Sequence, residues 1–84
     1  MEFKLFDDYI TLQALLKTNG ILHSGGAIKG LLEENTILFN GEDEKRRGKK
    51  IRIGDTVALP EHGITITVIA PSTEEIQQYQ EDQA

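Results

Sequence analysis

Two apolar groups at helical spacing set the terms for this chain. Leu12, Leu15 and Leu16 form the first, and Ala27, Ile28, Leu31 and Leu32 form the second. Each supports only a short helix, and isolated helices of that length do not persist in water. Both must therefore dock on other structure. Local signals bound them. Thr11 is placed to cap the first helix, and Gly20 to end it in the left-handed conformation. A tight Ile21-Leu22-His23 link follows. Ser24 then reads as the N-cap of the second helix and Asn35 as its left-handed terminator.

The rest of the chain supplies strands. EFKLF, from Glu2 to Phe6, reads as a first strand. TILF runs into Asn40-Gly41, the strongest short hairpin signal in the sequence. KIRI alternates basic and apolar residues, which places Ile51 and Ile53 towards the core and Lys50 and Arg52 outside. Gly54-Asp55 turns the chain into TVAL, Pro60 to Gly63 makes another turn, and ITITVIA is a last strand. The expected architecture is α+β, two short helices packed on a small, mostly antiparallel sheet. Pro71 marks its end, giving a domain over residues 1–71 and an acidic tail over 72–84, a frayed helix or disordered.

The chain has 84 residues and no cysteine, so one small core must hold by packing alone. No apolar run is long enough for a signal sequence or a membrane span, which predicts a soluble, cytoplasmic protein; a monomer is expected. The formal net charge is -5, yet six of the nine basic residues fall between Lys45 and Arg52. The tail carries Glu74, Glu75, Glu81 and Asp82 with no base, so residues 1–71 are close to neutral and their positive charge is local.

Catalytic readings fail on spacing. His23-Ser24 lacks the glycine two places before the serine that a nucleophile elbow requires. His23 and His62 have no second ligand at helical spacing, so no metal site is expected. In GGAIKG the lysine precedes Gly30 and no Ser or Thr follows, so it is not a nucleotide-hydrolysing phosphate loop. No catalytic residue and no cofactor is assigned. A simple anion site is better founded. Ser24, Gly25 and Gly26 would open the second helix, where backbone N–H groups lack partners, with Lys29 one turn on. Close helix packing is the competing explanation for those glycines.

The basic loop is the other candidate: Lys45, Arg46, Arg47, Lys49, Lys50 and Arg52, with Gly48 for a tight turn. Gathering like charges costs energy, and a polyanionic partner is the natural account. The alternatives are a solvated hairpin balanced by Glu42, Asp43 and Glu44, or a protein-interaction module that sets the loop against an acidic partner. Phe3, Phe6, Phe39, Tyr9 and Tyr79 do not interleave with these bases in sequence, so stacking on single strands is not expected.

The order of parts resembles the S4 RNA-binding domain, with its pair of short helices and following hairpin known as the αL motif. The resemblance rests on ITLQALLKTNGILHSGGAIKGLLEENTILFNGE, then the basic loop and KIRIGDTVAL. It covers about residues 10–59, with Leu31-Leu32, Phe39-Asn40-Gly41-Glu42 and Gly54-Asp55 in the family's places. SGGAIK, NGE and RRGKK look most like the small stand-alone bacterial proteins of the YaaA and YbcJ type. The resemblance implies non-catalytic binding of structured RNA, ribosomal or transfer RNA, with ribosome assembly as its setting. Many relatives carry arginine where this chain has Gly25, so the basic loop must carry more of the attraction.

Overall fold

A computed structural model describes residues 1–22 and 26–83. In chain order the elements are β1 (Glu2–Lys4), β2 (Ile10–Thr11), α1 (Leu12–Thr18), α2 (Ala27–Glu34), β3 (Leu38–Phe39), β4 (Glu42–Asp43), β5 (Lys50–Ile51), β6 (Thr56–Leu59), β7 (Ile64–Ile69) and α3 (Thr73–Gln83). One sheet has the order β1-β7-β6-β3-β4, antiparallel except for the parallel β1–β7 pair. A separate two-stranded antiparallel ladder joins β2 to β5. The fold is α+β, as the helix and strand signals imply.

Both ends of α1 follow from local chemistry. The Thr11 hydroxyl accepts from the Ala14 N–H at 3.2 Å, which satisfies one unpaired donor of the first turn. At the other end Gly20 takes φ +76. Its N–H donates to the Lys17 carbonyl and the Ile21 N–H to the Leu16 carbonyl, the paired bonds of a Schellman stop. Between these caps Leu12, Leu15 and Leu16 are fully buried. They meet Ile28 and Leu32 of α2 and Ile37, Ile51, Val57, Leu59, Ile66 and Val68 from the loops and strands in one core. Fully burying each such side chain contributes about 1.5–3 kcal/mol, which is how two weak helices persist.

The second helix departs from expectation at both ends. It begins at Ala27 with Gly26 at the N-cap position, without a side-chain cap. The expectation for Ser24 falls on residues 23–25, outside those described. Asn35 is not left-handed: its backbone is extended, with φ -127 and ψ 153. It ends the helix another way, its backbone N–H and side-chain amide both donating to the Leu31 carbonyl, at 3.0 and 3.2 Å. The side chain supplies what a left-handed turn would otherwise achieve.

Asn40 and Gly41 both have positive φ, 51 and 86, as a two-residue hairpin turn between right-twisted strands requires. Asn40 also reaches across to the next turn. Its amide donates to the Asp55 carboxylate at 3.0 Å, and its side-chain oxygen accepts from the Thr56 N–H at 2.8 Å. The Asn-Gly and Gly-Asp turns are thus two halves of one hydrogen-bonded corner. The same corner overturns the expectation for Ile53. Asp55 accepts from the Arg52 N–H at 2.7 Å and bends the chain just after β5. Alternation stops at Ile51, which is fully buried, whereas Ile53 is 50% exposed.

Beyond Pro71 the chain forms α3. Ser72 and Glu75 make a reciprocal capping box: the Glu75 N–H donates to the Ser72 hydroxyl, and the Ser72 N–H to the Glu75 carboxylate. Glu75 also pairs with Lys4 of β1 at 2.6 Å, which ties the helix to that edge of the sheet.

Candidate nucleic-acid interface

The basic segment is held by the ends of both neighbouring helices. The first N–H groups of a helix and its last carbonyls have no partners within it. At α1, the Leu12 N–H donates to the Lys49 carbonyl at 2.9 Å and the Gln13 N–H to the Arg47 carbonyl at 3.0 Å. At α2, the Lys45 ammonium donates to the carbonyls of Leu32 and Asn35, at 3.0 and 3.2 Å. A cation there also meets the negative end of the helix dipole. Between these anchors the chain reverses in a turn closed by the Lys49 N–H on the Arg46 carbonyl.

This arrangement divides the bases into three kinds. Lys45 and Arg46 have partners within the fold. Lys45 caps α2 and lies 3.8 Å from Asp43. Arg46 forks onto both oxygens of Glu44 at 3.1 Å. The Arg46 guanidinium holds the Glu44 carboxyl below the usual glutamate range, and Glu44 in turn raises Arg46. Lys49 and Lys50 rest on aromatic faces, Lys49 4.8 Å from the Phe39 ring centre and Lys50 4.9 Å from that of Tyr9. Arg47, Arg52 and Lys29 form the third kind. Their side chains make no ion pair or hydrogen bond to any described residue.

Helix and loop share one surface. Ile28, Lys29 and Leu32 of α2 face Lys45, Arg46, Arg47 and Gly48 across a groove. A second concavity, lined by Arg46, Gly48, Lys49, Lys50 and Arg52, adjoins it through Arg46 and Gly48. Gly26 sits exposed at the head of the same helix. A methyl group added there would meet nothing within 4 Å, so close packing among the described residues does not demand glycine. Ser24 and Gly25 lie outside the described residues.

The spacing of aromatics in sequence hides their place at this surface. Tyr9 and Phe39 are distant from Lys45–Arg52 along the chain, yet the β2–β5 ladder and the β3–β4 hairpin bring them against Lys50 and Lys49. Their alternation in space comes from strand pairing. The available signal was Tyr9 standing one residue before a pair, Ile10-Thr11, short enough to escape notice as a strand.

Two helices whose second member and following hairpin share a cationic groove, set on a small mixed sheet, define an αL-type module. The chain belongs to the S4 domain family, which matches residues 3–68. It is similar to the probable ribosome maturation protein RlbA of Bacillus subtilis (strain 168). The two are 39% identical over 56 residues, which span 67% of this chain and 79% of that protein. Among the described residues no group of three or more His, Asp or Glu side chains could hold a metal ion, and no helix is long and apolar enough to cross a membrane.

Proposed function

We propose that this protein binds structured RNA as a non-catalytic module, in ribosomal RNA or a ribosome-assembly intermediate. One observation carries the reading: Lys29 and the bases from Arg46 to Arg52 border a continuous surface whose backbone is fixed by helix ends before any ligand arrives. A loop already ordered loses little entropy on binding. The name of the Bacillus relative, a probable ribosome maturation protein, supports the ribosomal setting. Phosphate contacts of this kind position an RNA without reading its bases, so shape would supply selectivity. Exposed Gly26 at the start of α2 is a place for one phosphate and Lys29 for another; Ser24 and Gly25, the other residues expected there, lie outside the described residues.

Titration with a ribosomal RNA fragment over a range of salt tests this. Each phosphate contact contributes about -0.7 to -0.9 to the slope of log affinity against log salt. Engagement of five or so of these cations predicts a slope of about -4. Nuclease-sensitive absorbance at 260 nm in protein purified at low salt would agree. A flat salt response, with the loop instead required for capture of an acidic protein, would replace this reading by the protein-interaction one.

A further inference from the structure

We infer that Tyr9 is a stacking platform for one unpaired nucleobase at the end of the basic groove, an inference that rests on the RNA-binding reading above. The register of the small ladder carries it. Ile10 lies opposite Ile51 and Thr11 opposite Lys50, which puts Tyr9 diagonal to Lys50. Facing and diagonal residues of such a pair share one side of the ribbon. The apolar side holds Ile51, which is fully buried, and the partly buried Ile10. The other presents Tyr9 and Lys50 together. Tyr9 is 42% exposed, and its ring lies beneath the Lys50 ammonium. Its hydroxyl has no hydrogen bond to any described residue. The core therefore leaves this aromatic at the surface, beside a lysine of the cationic concavity.

Surrounding charge gives the platform a direction. Lys50 and Arg52 belong to the cationic concavity. On its other flank Tyr9 borders a shallow depression with Asp7, Asp8, Ile10, Thr11 and Ala14. Two carboxylates there repel phosphate, so an RNA strand keeps its backbone on the lysine and arginine side and turns a base onto the ring. Aromatic faces accept any unpaired base, whereas a paired base within a stem cannot reach them. The ligand class is thus a stem that ends in, or is interrupted by, an unpaired nucleotide. The bland account is that Lys50 over Tyr9 only steadies the β2–β5 ladder.

The test compares two probes of the same stem: a blunt RNA duplex, and a hairpin with 2-aminopurine in its loop. Wild-type protein, Tyr9→Phe and Tyr9→Ala are titrated with both at low salt. Tyr9→Ala should weaken hairpin binding on the order of 5- to 100-fold and abolish the quenching of 2-aminopurine. It should leave duplex binding unchanged, which also shows that the variant is folded. Tyr9→Phe should behave as wild type. Equal loss on both probes, or no loss on either, would leave Tyr9 a ladder residue and overturn the inference while RNA binding stands. Failure of the wild-type protein to bind either probe overturns both readings.

Discussion

The two charged regions of this chain are built in opposite ways. The basic segment, Lys45 to Arg52, is tied down at several points by the unpaired ends of α1 and α2. The acidic helix α3 is capped by the Ser72–Glu75 box and pairs with Lys4 in its first turn. Charge held on a fixed backbone can meet a shaped partner with little ordering cost. Charge on a helix side open to solvent contributes mainly a diffuse field. The contrast teaches that net charge is a poor description of this chain: a sum of -5 coexists with a dense and firmly held cluster of bases.

The largest expected effect comes from removing the charge while keeping the frame. Changing Arg46, Arg47, Lys49 and Lys50 together to Ala should weaken RNA binding at least about a hundredfold at low salt and flatten the salt slope by about three units. Amide exchange in α1 and α2 should change little, because the carbonyls that accept from Leu12 and Gln13 belong to the backbone. A folded variant with unchanged slope would remove the basic segment from the interface.

Lys45 and Arg47 separate the clamp from the contacts it positions. Lys45→Met keeps the aliphatic stem but deletes the ammonium on Leu32 and Asn35, so stability should fall by about 1 kcal/mol. RNA affinity should fall with it, because the loop loses its anchor on α2. Arg47→Ala should stay within about 0.5 kcal/mol of wild type and reduce the salt slope by about 0.8. Urea unfolding and RNA titration of both variants check the pair. A Lys45→Met protein as stable as wild type would mean that the α2 contact is incidental.

These differences mark where the sequence could be read and where it could not. The caps of α1, the Asn40-Gly41 hairpin and the TVAL and ITITVIA strands were legible because each depends on residues close together in the chain. The β2–β5 ladder was not, since two residues per strand carry no periodicity. Its absence from the sequence reading hid Tyr9. Ile53 was misread because a carboxylate two places on, Asp55, bends the backbone that alternation assumes to be straight. Asn35 was misread because a side-chain amide did the work expected of a left-handed backbone. Among the site residues, sequence showed that the bases cluster. It could not show that Lys45 spends its ammonium on α2 or that Arg46 faces Glu44, since those choices are made by tertiary packing. The Ser72–Glu75 box was visible as Ser-x-x-Glu, but no apolar run follows it to mark a helix.

At the head of α2 the expected effects are smaller. Gly26→Ala should leave stability nearly unchanged, since the added methyl meets nothing within 4 Å. RNA affinity should also be close to wild type. Gly26→Glu places a carboxylate at the positive end of the helix, so the fold should be equal or slightly steadier while RNA binding falls several-fold. Thermal unfolding beside RNA titration checks both: a folded Gly26→Glu protein that binds RNA as wild type does would exclude a phosphate from this end.

The smallest effect on RNA is expected from the acidic helix, and it tests the contrast from the other side. The acidic tail of the sequence could have shaded the basic loop. Lys4 anchors α3 at the β1 edge, and the basic segment leaves from the β4 edge. The attachment itself is titratable. The bond to Lys4, and after it the one from the Ser72 N–H, hold the Glu75 carboxyl below the usual glutamate range. A depressed carboxylate pKa stabilises the attached form at pH above the ordinary glutamate value, and that support is lost as pH falls through the lowered one. Helix α3 should therefore fray in acid before the core does, and Glu75→Gln should fray it already at neutral pH. Amide exchange along residues 73–78 measures both. RNA affinity of Glu75→Gln should stay within about twofold of wild type at physiological salt, because one surface charge is largely screened there. A tenfold change would place α3 beside the basic groove, and the two charged regions would then act as one surface.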